Sequence, residues 1–124
     1  MPKVRDKIRI YRGEECVEVT ALFDTGATRS YLNDEVAERL GYEPYPEPVR
    51  VPLAVEGKYA DVVGRLHVYL EIVGYRLPEE ETIGVIKDLR EEAIIGLNII
   101  ESYGIVFEKD RIRFRRTPPT AYLI

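Results

Sequence analysis

Apolar residues recur at every second position along most of this chain, in short runs broken by turn-forming residues. That period leaves little room for anything but short strands. Ile8 and Ile10 alternate with Arg9 and Tyr11, and Val17, Val19 and Ala21 alternate with Glu18 and Thr20. Arg12-Gly13-Glu14-Glu15 between them has the turn chemistry of a β-hairpin. Val49, Val51, Leu53 and Val55 repeat the period, as do Leu66, Val68, Leu70 and Ile72, and Gly57 marks the place where the chain folds back. Pro52 cannot donate to a sheet ladder, so the first of these two runs is expected at an edge or projecting from the body. Residues 82–86 and 93–95 read as further strands, and 105–107 with 112–114 as a final pair around Lys109-Asp110.

Two segments carry a helical signature instead. Asn33 is a good N-cap, with Asp34 and Glu35 in the first turn, Val36, Ala37 and Leu40 on one face, and Gly41 as the stop. Residues 97–103 form a second short helix ended by Gly104, and the proline-marked stretch 43–48 reads as a connector. Many short strands with two short helices predict an all-β, barrel-like architecture rather than alternating strands and helices. A length of 124 residues with 45% hydrophobic content fits one core, so residues 1–124 are expected to form a single domain.

A formal net charge of −4 gives the whole surface no positive field, so neither nucleic acid nor an anionic membrane is an expected partner. The local basic stripe of Lys109, Arg111, Arg113, Arg115 and Arg116 alternates with Ile112 and Phe114, which marks a solvated strand face. One cysteine, Cys16, cannot form an internal disulfide, and no apolar run approaches the roughly 20 residues that span a bilayer. Charged Lys3, Arg5, Asp6, Lys7 and Arg9 interrupt any signal-peptide core, so a cytoplasmic location is expected. With one histidine, His67, and one cysteine, a zinc site lacks ligands, and no metal or cofactor is expected. His67 alternates with Leu66 and Val68 and should face solvent.

The second strand of the first hairpin runs into Leu22-Phe23-Asp24-Thr25-Gly26-Ala27, where alternation gives way to an apolar approach ending at a carboxylate. Asp-Thr-Gly alone is an ordinary turn tripeptide. Joined with the distant Ala93-Ile94-Ile95-Gly96, it resembles the paired motifs of the retropepsin-like (clan AA) aspartic proteases, in their single-domain archaeal and bacterial form. The order of elements matches too: an N-terminal hairpin, the Asp-Thr-Gly turn, a flap-like hairpin, the apolar-apolar-Gly strand and a short helix.

The resemblance implies a closed acid-protease barrel with one lobe per chain. It implies an aspartic endopeptidase in which Asp24 is catalytic and Thr25, Gly26 and Ala27 form the active-site loop. Ile94, Ile95 and Gly96 would be the supporting strand, and Val55, Glu56, Gly57, Lys58 and Tyr59 the flap. In the family the N–H at the position of Gly26 bonds the carboxylate, and the threonine at the position of Thr25 reaches across the dimer axis. Metal-free peptide hydrolysis needs one group to take a proton from water while another protonates the carbonyl, work that two close carboxylates sharing one proton can do. Pepsin-like enzymes carry two such motifs in a longer chain, whereas this one carries a single motif. The resemblance therefore implies a homodimer acting on a peptide or protein substrate, with no cofactor.

The sequence departs from the retroviral pattern at two places. Thr28 and Leu97 stand where retroviral enzymes usually place an acidic residue and its arginine partner, and the expected flap has only Gly57 near its tip. The apolar tail, residues 121–124, resembles the C-terminal strand that enters the dimer sheet of those enzymes. A catalytically silent peptide-binding or dimerisation module on the same fold is the alternative reading, since a fold does not guarantee an activity.

Overall fold

The computed structural model describes residues 3–53 and 57–120. The first hairpin is β1 (Lys3–Arg12) and β2 (Glu15–Asp24), paired along their full length from Lys3 opposite Asp24 to Arg12 opposite Glu15. Their alternation sends Ile8, Ile10, Val19 and Ala21 inward. The three residues of β3 (Tyr31–Asn33) lead into α1 (Asp34–Leu40), whose Asn33 cap accepts from the N–H groups of Glu35 at 2.7 Å and Val36 at 3.3 Å. The projecting hairpin is β4 (Glu43–Pro52) and β5 (Tyr59–Ile72). After it come β6 (Tyr75–Arg76), β7 (Glu81–Ile86), β8 (Ala93–Ile95), α2 (Leu97–Ser102), β9 (Ile105–Glu108) and β10 (Arg111–Phe114).

The sheet runs β1-β2-β8-β3-β7-β5-β4, and β1 also pairs with β5, which closes six of these strands into a barrel with β4 outside the ring. This is the mainly β, closed-barrel architecture anticipated above. Phe23, Val68, Val85, Ala93 and Ile99 are fully buried in its interior. The strands β9 and β10 form a separate two-stranded sheet, whose Ile112 and Phe114 point into the core while Arg111 and Arg113 stay exposed, as their alternation requires. His67 is exposed, with Nδ1 2.9 Å from the Thr82 hydroxyl across the β5–β7 ladder. Among the described residues no helix is long and apolar enough to cross a membrane.

Two expectations about element limits change. Residues 43–48 are not a connector; they are the first part of β4. Proline is tolerated there because an edge strand needs ladder partners on one side only, and the β4–β5 register breaks between Pro44 and Val49. The strand β5 begins at Tyr59, well before Leu66, and passes straight through Gly64. A Cβ on Gly64 would lie 2.6 Å from the Tyr42 ring, so glycine marks a close crossing rather than a break, and the ladder with β7 slips by one residue beside it.

The end of α2 is tied to the start of β7. Tyr103, fully buried, donates its hydroxyl proton to Glu81 Oε2 at 3.0 Å. Burial raises the Glu81 carboxyl above its ordinary range, and burial together with the Glu81 hydrogen bond raises the Tyr103 hydroxyl well above its own.

Candidate active site

The turn after β2 is held from two directions. Leu22 and Phe23 are buried and bring Asp24 to the end of the strand with its side chain 15% exposed. The Gly26 N–H donates to Asp24 Oδ1 at 2.8 Å, and the Ala27 N–H closes the turn onto the Asp24 carbonyl at 3.1 Å. Lys3, the ladder partner of Asp24, places Nζ 3.9 Å from Oδ2 with its side chain largely in solvent. One carboxylate oxygen is thus fixed by a backbone donor while the other faces a solvent-exposed ammonium. Thr25 and Ala27 are half-buried and Gly26 is exposed.

The distant motif supplies the other support. In parallel register with β2, β8 sets Ile94 beside Leu22 and Ile95 beside Phe23, with β3 antiparallel on its far side. The loop of residues 25–30 therefore arches over the end of β8, and Gly96 sits directly beneath it. A Cβ there would overlap the carbonyl oxygen of Arg29 and sit 2.8 Å from that of Ala27, so only glycine fits. Beyond Gly96, the Leu97 N–H donates to the Ala27 carbonyl at 2.7 Å and the Asn98 N–H to that of Thr28 at 3.1 Å. The sequence thus brings Asp24, Thr25, Gly26, Ala27, Ile94, Ile95 and Gly96 into one cluster.

Ser30 completes that support and was not legible beforehand. It is the buried polar residue of the region: Oγ accepts the Gly96 N–H at 2.9 Å and donates to Asn98 Oδ1 at 2.9 Å. One hydroxyl so joins the loop, the end of β8 and the start of α2. A serine between charged and aromatic neighbours carries no periodic signal of burial.

The expected flap is the β4–β5 hairpin, closed by Leu53 N–H to Lys58 carbonyl at 2.9 Å, with Gly57 at φ 77° in its turn. Val55 and Glu56 lie outside the described residues, as does the apolar tail of residues 121–124. Gly57, Lys58 and Tyr59 are exposed at the outer end. Behind that turn the hairpin meets the loop: Val49, Val51 and Val62 line, together with Thr28, Arg29 and Tyr31, a cavity of about 760 Å³. Asp24 does not line this cavity; the first residue of the same loop that does is Thr28, four residues further along.

A family model described as aspartyl protease matches residues 8–99, a span that takes in both motifs and all of the barrel except the first half of β1. The chain belongs to the aspartyl protease family. No curated protein matches this family member in a sequence search. Among solved structures it is similar to the retroviral protease-like domain of Ddi1 from Leishmania major, with 19% identity, a TM-score of 0.64, and 97% of this chain and 95% of that one covered. It is also similar to a retropepsin-like aspartic protease from Rickettsia conorii, with 21% identity, a TM-score of 0.59, and coverage of 86% and 78%. The EIAV protease in complex with the inhibitor HBY-793 matches with 19% identity, a TM-score of 0.57, and coverage of 80% and 86%. At these identities the likeness establishes a retropepsin-like fold for this aspartyl protease family member.

Proposed function

We propose that this protein is an aspartic endopeptidase that works as a symmetric homodimer, with Asp24 and Asp24 of a second copy forming the catalytic pair. The observation that carries this reading is the Asp24 turn: a carboxylate ordered by the Gly26 N–H at 2.8 Å and backed by a parallel strand whose Gly96 admits no side chain. A lone carboxylate can take a proton or give one, but peptide hydrolysis needs both at once. In the pair, one carboxylate removes a proton from water as the oxygen attacks the scissile carbonyl carbon, and the protonated partner gives its proton to the carbonyl oxygen. Collapse of the tetrahedral intermediate breaks the C–N bond, with the leaving amine taking up a proton from the pair. No metal or covalent intermediate enters this scheme. The substrate is an extended peptide lying between the Asp24 turns and the β4–β5 hairpins, and single residues 55–59 of each hairpin act as the flap.

Asp24→Asn keeps the shape and hydrogen-bonding capacity of the side chain but removes its proton chemistry. Hydrolysis of a peptide library from acidic to neutral pH should vanish in this variant, while the wild type gives a bell-shaped rate profile. Persistent cleavage by the Asn variant would remove Asp24 from the mechanism and with it the aspartic endopeptidase reading.

A further inference from the structure

The cavity lies between the active-site loop and the middle of the β4–β5 hairpin, and Asp24 is not among the residues that line it. Its walls include Tyr31, Val49, Val51 and Val62, apolar surfaces suited to a methylene stem. Its charges are unequal in how they are held. Arg65 is balanced by Glu43, Nε to Oε2 3.6 Å. Arg29 and Glu47 also line the cavity, and among the described residues neither has an ion-pair partner in the structure, so each is available to a guest.

Backbone support separates these two. Arg29 stands on the arch that Gly96, Leu97 and Asn98 fix from below, with Thr28 and Ala27 carbonyls bonded at 3.1 and 2.7 Å. Glu47 lies between Pro44 and Val49, where the β4–β5 ladder breaks. A charge on a braced segment loses less freedom on binding than one on an unpaired segment, and a guanidinium grips a carboxylate with two parallel N–H donors. We infer that this cavity selects substrate segments carrying a glutamate side chain, with Arg29 as the specificity-determining residue that reads the carboxylate. The stem packs on the apolar walls and the carboxylate reaches the rim. This inference rests on the cleft being a peptide cleft, as in the endopeptidase reading.

The test uses peptides whose central amide is replaced by an uncleavable reduced CH2–NH bond, with Glu, Gln or Lys at each flanking position in turn. Equilibrium affinities are measured for the full chain, for Arg29→Gln and Arg29→Glu, and for Glu47→Gln. At one position Glu should bind about five- to tenfold more tightly than Gln at low salt. Arg29→Gln should abolish that ratio, and Arg29→Glu should turn the preference toward Lys. Equal binding of Glu and Gln, or a Glu preference that survives Arg29→Gln, overturns the inference. So does a Lys preference that Glu47→Gln removes, because it would make Glu47 the reader. A Glu preference without hydrolysis of the matching cleavable peptide upholds the inference and sinks the endopeptidase reading; no binding by any peptide sinks both.

Discussion

At the scale of single residues, the site depends on small groups that fill narrow roles. Gly96 is one: it carries no side chain because two carbonyl oxygens of the arch occupy the space. Ser30 is the other, since its hydroxyl is the acceptor for the Gly96 N–H in a buried setting. Ser30→Ala leaves that N–H without an acceptor and should destabilise the protein by about 1–3 kcal/mol in urea unfolding. Ser30→Thr, which keeps the hydroxyl, should recover part of the loss if the added methyl is accommodated. A Ser30→Ala variant as stable as wild type would mean that the bond contributes nothing. The difference in legibility between these residues is physical. Gly96 stood out because a glycine ending an apolar strand is an unusual choice paired with a distant motif. Ser30 and Arg29 gave no warning, because their roles arise from which backbone arches over which, and no periodicity encodes that.

At the scale of elements, alternation located the strands whose one face is buried and located poorly those that are short or crossed. The inward faces of β1, β2 and β5 follow the period closely. By contrast β3 has three residues and β6 two, too few to express a period, and the first part of β4, residues 43–48, was hidden by prolines that only an edge position tolerates. The α2–β7 tie was invisible for another reason: Tyr103 and Glu81 are far apart in sequence and meet through packing. That tie makes a pH-dependent prediction. The folded state raises the Glu81 carboxyl above its unfolded value, so between those two values the folded chain binds more protons than the unfolded one. Stability linked to Glu81 is therefore greatest below the ordinary glutamate range and falls as pH rises through the folded value. Glu81→Gln still accepts the Tyr103 hydroxyl but never ionises. Relative to wild type it should melt about 1–3 °C higher at neutral pH, an advantage that closes on acidification below pH ~4. An advantage independent of pH would show that ionisation of Glu81 is not its source.

At the scale of the whole molecule, the barrel closes on itself but the chemistry does not. Each chain presents one Asp24 on one arch, and a general acid and a general base are required together, so the proposed activity belongs to an assembly. Twofold symmetry is the simplest way to bring identical arches face to face, because each then uses the same surface. The proposal can be separated from a monomeric enzyme by mixing subunits. If wild type and Asp24→Asn exchange freely and any dimer containing an Asn subunit is inactive, activity follows the square of the wild-type fraction. An equal mixture at constant total protein should retain roughly a quarter of the wild-type rate rather than half. Sedimentation of the same samples should give about twice the 14.3 kDa chain mass, and the melting temperature should rise with protein concentration as dissociation is suppressed. Linear dilution of activity, with exchange verified by an affinity tag on one subunit, would place the full catalytic machinery within one chain. That outcome would require a second proton-transfer group from among the chain's own residues, and Lys3, with Nζ 3.9 Å from Asp24 Oδ2, would be the first to substitute.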